Sequence, residues 1–198
     1  MAVHCASLGM NNDGLLLAGP SESGKTTTSL HLAACGLTLF GDEVALIRLA
    51  TNEIVPFRRT ANLRPGPRTP ALSAVVARFA GGHELPLDDE GVATLRIGEL
   101  FPDSQARPVS LNAAFFLAGF AHQPSLAPFR PTLYDLDAFS VLSGNEIATL
   151  WGLPPNRRAL RLLAVKRLLE RLPCWRLKVG APRETAELIQ CTMEKLRC

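Results

Sequence analysis

The stretch GLLLAGPSESGKTTTSLHLAACGLTLFGDEVALI, residues 14–47, decides how this chain folds. Residues 15–18, Leu-Leu-Leu-Ala, make a short apolar run that breaks at Gly19, the pattern of a fully buried strand. Residues 24–35 predict a helix, with Leu30, Ala33 and Ala34 at helical spacing and Gly36 as its stop. Residues 37–40, Leu-Thr-Leu-Phe, predict a second short buried strand, and Asp42 and Glu43 follow it at once.

Between the first strand and the helix, Gly19 to Thr26 match G-x-x-x-x-G-K-[ST] in full. Average residue frequencies give that pattern by chance in about one chain in a hundred of this length, and the strand before it and helix after it are the context its mechanism needs. Gly19 and Gly24 let the backbone turn with its N–H groups inward as an anion nest, to which the helix start adds unpaired N–H groups and its positive end. The candidate phosphate seat is therefore Gly19, Pro20, Ser21, Glu22, Ser23, Gly24, Lys25, Thr26 and Thr27. Lys25 supplies a compact charge for the outer phosphates, and Thr26 a hydroxyl for Mg²⁺, which keeps most of its ligands as water and phosphate oxygen. Glu22 does not veto this reading, because only the backbone of the x positions must face the anion; its side chain is placed on the rim. The plainer alternative is a glycine-rich turn carrying a surface lysine.

Such a loop needs an acidic partner. Asp42 and Glu43 lie 17 and 18 residues after Lys25, which is one helix, one turn and one short strand away, so the strand can return its end beside the phosphates. Two carboxylates there can divide the work, one on Mg²⁺ and one as base towards an acceptor hydroxyl. The alternative is a pair of turn acids capping a strand.

The rest of the chain predicts an α/β class. Residues 43–57 read as two strands joined at Thr51-Asn52, which makes the sheet mixed. Residues 56–70, with four prolines and four arginines, read as an ordered loop without regular structure, and 81–91 as a second loop. Residues 92–97 and 111–120 are strand candidates, 124–135 a proline-rich connection, and 135–150 short helices. A strong helix covers 155–172 with Leu162, Val165, Leu169 and Leu172 as its stripe; residues 174–179 alternate as a strand, and 183–196 form a closing helix.

Bulk properties bound the function. The 198 residues suit one domain, 1–198. A net charge of +3 is too mild to argue for nucleic acid. The longest apolar run, 111–120, is about half of a membrane span. The start of the chain lacks the basic and apolar regions of a signal peptide. Five cysteines, an odd number without CxxC spacing, point to reduced thiols in a cytoplasm.

At these residues the sequence resembles a family. His-Cys-Ala-Ser-Leu at 4–8, the stretch from 14 to 47 and Val-Pro-Phe at 55–57 look like the catalytic core of HPr kinase/phosphorylase and its smaller relatives, whose fold is similar to the nucleotide core of phosphoenolpyruvate carboxykinase. The resemblance is specific over residues 4–57, and the tail from 168 to 180 also looks like the small kinase relatives. It implies a mixed sheet flanked by helices and ATP- and Mg²⁺-dependent phosphorylation of a serine hydroxyl on a protein or peptide. By position it makes Lys25 and Thr26 the phosphate and metal residues, Asp42 the base, Glu43 the metal carboxylate where the family has a second Asp, and His4, placed on a strand, a histidine near the phosphates. A buried structural histidine fits His4 equally well. The family's N-terminal regulatory domain and its glycine-containing dephosphorylation signature have no counterpart here. The small relatives tailor peptide natural products such as lasso peptides, which makes a precursor peptide the expected acceptor; homo-oligomers are a further expectation. The donor stays open between ATP, GTP and pyrophosphate, and competing readings are a nucleotide-binding regulatory module with little transfer and a small-molecule kinase.

Other signals are weaker. Any of Arg58, Arg59, Arg64 and Arg68 can clamp phosphate or merely be solvated. Residues 157–178 carry eight basic side chains against Glu170, either a docking face for an acidic peptide or an anionic surface, or a solvated helix face. His31 lies on the helix after the loop and reads as packing, His83 and His122 sit in loops without a matching ligand set, and Trp151 and Trp175 read as core or interface.

Overall fold

The computed structural model describes residues 1–66, 69–72, 85–102, 106–132, 135 and 158–197. Two parallel strands form the middle of a mixed sheet: β3 (Asp13–Ala18) and β9 (Val109–Phe120), with Leu16 opposite Ala114 and Leu17 opposite Phe115. Leu15, Leu16 and Leu17 are all fully buried, so both faces of β3 are covered and the run is apolar without alternation. β2 (Ala6–Met10) lies antiparallel beside β3, and β4 (Thr38–Gly41) antiparallel beside β2. β4 therefore runs parallel to β3, and its C-terminal end emerges at the same end of the sheet as the C-terminal end of β3.

On the other side, the start of β9 pairs with β6 (Glu53–Val55), which leads through β5 (Ala45–Arg48) to the short β1 (Ala2–Val3). The later part of β9 pairs parallel with β11 (Cys174–Val179), and β11 carries the edge strand β10 (Ser125–Pro128). The β5–β6 hairpin turns through Thr51 and Asn52, with Asn52 at a left-handed φ of 53°.

Helices cover both faces. Helix α1 (Lys25–Ala34) and the C-terminal helix, α3 (Pro182–Lys195), pack Leu30, Leu32, Ala186, Ile189 and Met193 against Leu8, Leu15, Leu17 and Phe115. Thr185, Ala186, Ile189 and Met193 recur at helical spacing, which is why α3 buries one stripe. On the opposite face α2 (Arg158–Leu169) places Val165, Leu168 and Leu169 against Leu16, Ala114 and Phe116. Val165 and Leu169 belong to the expected stripe and Leu172 packs beside it; the side chain of Leu162 lies outside the described residues.

Three expectations are corrected. Residues 56–70 are not free of regular structure: Thr60–Leu63 form β7, paired with β8 (Ala93–Arg96) in a separate two-stranded sheet under α1. Alternating burial of Ala61 and Leu63 earns the strand, and the arginines and prolines around it hide the pattern. The connection 124–135 contains β10, where Pro128 is tolerated because the strand lies at an edge. His4 is not on a strand; it sits with Cys5 in the bend between β1 and β2. The helices expected at 135–150, and Arg68, His83 and Trp151, fall outside the described residues apart from Asp135.

Candidate phosphate-binding site

The strand order explains how distant residues meet. The loop after β3, the bend before β2 and the turn after β4 all lie at one end of the sheet, and they bring Gly19–Thr27, His4 and Asp42–Glu43 together. A cavity of about 500 Å³ opens there, within the usual range for small-ligand sites. His4, Glu22, Lys25, Thr26, Thr27 and Glu43 line one side of it, and Asn62, Arg64 and Thr69 belong to the far wall.

The loop has the backbone an anion seat requires. Gly24 takes φ 92°, a left-handed value that side chains resist, and it is the N-cap of α1. The first bond of the helix runs from Thr28 N–H to Gly24 O at 2.9 Å, so the N–H groups of Lys25, Thr26 and Thr27 precede it. Glu22 also takes a left-handed φ, 61°, with its side chain exposed on the rim.

Lys25 Nζ donates to Gly19 O and Pro20 O, both at 2.8 Å. Burial lowers its pKa, opposed by the charges of Glu43 and Asp42. Thr26 Oγ1 donates to Asp42 Oδ2 at 2.7 Å and Ser29 Oγ to Asp42 Oδ1 at 2.9 Å. Asp42 is only 2% exposed. Burial pushes its carboxyl up to about 6, against the pull of the two hydroxyls and Lys25. Ser29 Oγ also lies 3.0 Å from Thr26 O. A hydroxyl has one proton, so a protonated Asp42 can donate to Ser29 and free the serine proton for that carbonyl.

Glu43 stands in contrast: its side chain is 48% exposed, lines the cavity and lies 4.0 Å from His4 Nδ1. Burial, and behind it the Lys25 charge, holds the His4 imidazole below the usual histidine range. Among the described residues, His4 Nδ1 and Ser23 Oγ are buried polar atoms without a hydrogen-bond partner. Cys5, fully buried nearby, has its thiol pushed up by the same desolvation and is inert.

The donor set fits a phosphate with a shared metal better than a metal alone. Lys25 and the helix start favour anions, and Thr26 with Asp42 offers oxygen to a hard cation. Among the described residues no group of three or more His, Cys, Asp and Glu is arranged to hold an ion by itself. Magnesium bound mainly by phosphate and water needs no such group.

The arginines separate. Arg58 is spent on the carbonyls of Ile97 (3.2 Å) and Phe101 (2.7 Å), and Arg59 lies over the Phe57 ring. Arg64 lines the cavity. Sequence reasoning missed Ser29, Asn62, Thr69 and Phe120; only Ser29 carried a signal, being one turn from Thr26 on the same helix face.

No protein-family model and no curated protein matches this chain. Among solved structures, the chain is similar to the Hpr(Ser) kinase/phosphatase from Coxiella burnetii, with 14% identity, a TM-score of 0.50, and coverage of 100% of this chain and 90% of that one. The likeness is one of fold: a mixed sheet flanked by helices. Among the described residues no helix is long and apolar enough to cross a membrane.

Proposed function

We propose that this chain is a phosphotransferase, a kinase that uses Mg²⁺ and ATP to phosphorylate a serine hydroxyl of a protein or peptide. One observation carries the reading: Thr26 of the phosphate loop is hydrogen-bonded at 2.7 Å to Asp42, beside Lys25. A glycine-rich turn with an idle surface lysine would not bury an acid against the next hydroxyl of its helix. The fold likeness to a kinase/phosphatase supports the same reaction class.

The geometry favours roles opposite to those the resemblance implies. Asp42 is buried with both oxygens engaged, which suits the metal side together with Thr26. Glu43 faces the cavity and is free to approach an acceptor hydroxyl. Bound magnesium would supply neutralisation of the phosphate oxygens. Lys25 and the loop N–H groups hold the phosphates, Arg64 adds a guanidinium from the far wall, and Glu43 takes the hydroxyl proton as the acceptor oxygen bonds to phosphorus and the bond to the donor breaks.

The test is to incubate the protein with Mg-ATP and serine-bearing peptides, including precursors of peptide natural products, and follow peptide mass. A gain of one phosphate that is lost in Glu43→Gln while ATP binding persists supports this reading. Unchanged ATP affinity in Lys25→Ala overturns it.

A further inference from the structure

The strand pair β10–β11 carries a row of positive charge that the phosphate site does not use. Cys174 packs with Val165, Leu168 and Leu169 of α2, whereas Leu177 and Val179 pack with residues of α1 and α3 on the other face. Strand alternation therefore puts Arg176 and Lys178 on the α2 side, about 7 Å apart, and both are exposed. Opposite them on the edge strand stand Ala127 and Ser125, small and exposed themselves, which leave the two cations uncovered. The Arg176 guanidinium is held 4.3 Å over the Phe129 ring. On the same side of the sheet, α2 adds Arg167 and the turn after it Arg171, both exposed. Nearby acids are spent: Glu170 pairs with Lys166, and Asp135 accepts from Thr132. Among the described residues none of these four cations has a carboxylate partner. Like charges held together without counter-charge repel one another and favour an anionic partner.

The row leads to the cavity. β11 runs parallel to β9, and Val179, next after Lys178, stands opposite Phe120, which lines the cavity. From Val179 back to Arg176 is about 10 Å of extended chain. We infer that Arg176 and Lys178 form a docking strip for an acidic segment of the acceptor peptide, several residues away from the hydroxyl that enters the cavity. The inference rests on the kinase reading above and adds to it how the acceptor is chosen. The chemistry favours a peptide. Carboxylates on alternate residues of an extended peptide repeat at about 7 Å, the spacing of the two cations, and the planar fork of Arg176 suits a carboxylate. A single-stranded nucleic acid needs open rings for its bases as well as charge. The rings beside the strip are taken: Phe129 lies under Arg176 and meets Phe116 edge-on at 5.0 Å, and Trp175 stacks on Phe115 at 5.1 Å. A membrane surface is held by apolar anchors together with charge, and no large apolar side chain of β10 or β11 is exposed.

The probe is fluorescein-labelled hexaglutamate, titrated by anisotropy at low salt without nucleotide. Wild type should bind it, and the double variant Arg176→Gln/Lys178→Gln should bind it about 10-fold more weakly. Arg183→Gln, on α3 and paired with Glu187, is the control and should stay within about twofold. Added Mg-ATP should leave hexaglutamate bound, because the strip and the phosphate seat are separate. No binding by wild type, equal binding by the double variant, displacement by Mg-ATP, or tighter binding of oligothymidylate or phosphatidylserine vesicles overturns the inference and leaves the kinase reading intact. If wild type holds hexaglutamate on the strip but binds no ATP, the kinase reading falls and the acceptor role with it.

Discussion

Replacing Asp42 by Asn should, on the proposed reading, exchange function for stability, and the structure sets the size of the expected exchange. The carboxyl is almost wholly buried, and its pKa rises from 3.8 to about 6. A carboxyl that keeps its proton longer in the folded chain than in the unfolded one binds more protons when folded. Stability therefore falls as pH climbs from about 4 to about 6 and stays lowered above that. The difference, at about 1.4 kcal/mol per pH unit, comes to about 3 kcal/mol. Asparagine carries no charge and can still accept from Thr26 and donate to Ser29, whose hydroxyls rotate. Asp42→Asn should thus be more stable than wild type by up to about 3 kcal/mol at pH 8, a gain of about 6–12 °C in Tm for a chain of this size. The gap should close near pH 4. Urea and thermal unfolding at the two pH values, without nucleotide or Mg²⁺, measure it, and phosphotransfer should be lost in the same variant. A gap of equal size at both pH values, or a variant less stable at pH 8, would refute the reasoning. An equal gap would mean that Lys25 and the two hydroxyls cancel desolvation, and a variant less stable at pH 8 that they outweigh it.

Three further perturbations probe the surrounding frame. Gly41→Ala places a β-carbon 2.4 Å from the backbone oxygen of Val44; it should destabilise by about 1–3 kcal/mol and lower nucleotide affinity by displacing Asp42, read by unfolding and calorimetry. Gly24→Ala forces a side chain into φ 92° against the Phe120 ring; a loss of about 1–2 kcal/mol and weakened binding of both ATP and tripolyphosphate are expected. Glu22→Gly removes a side chain from a left-handed residue; it should raise stability by up to about 1 kcal/mol with nucleotide affinity unchanged, and any altered acceptor KM would assign the Glu22 carboxylate to substrate contact.

The middle of the fold was legible because its signals are local. The strand, loop and helix from Leu15 to Gly36 are written in one apolar run, two glycines and helical spacing, and the return of Asp42 towards Lys25 follows from element lengths. What was not legible is non-local or masked by composition. That β2 inserts between β3 and β4 depends on pairings far apart in sequence. β7 is only four residues long amid arginine and proline, and β10 carries a proline that argues for a loop unless the edge position is known. Within the site, the contrast between Asp42 and Glu43 depends on which of two neighbours turns inward at the end of β4, and their chemistry is too alike to decide it. Phe120 was hidden differently: it closes a run that reads as uniformly buried, and only the left-handed Gly119 and the end of the strand bring it to the surface.

Lys25 braces the loop from within by its bonds to the Gly19 and Pro20 carbonyls. On the proposed reading, a phosphate reaching Lys25 would compete with two carbonyl oxygens for an ammonium already held, so affinity would measure an exchange of partners instead of the capture of a loose charge. The same bonds fix the shape of the loop beforehand, and little conformational entropy remains to be lost on binding. On the same reading, only an acceptor more strongly charged than a pair of amide oxygens would displace them, and the backbone contact would act as a threshold against weakly charged anions.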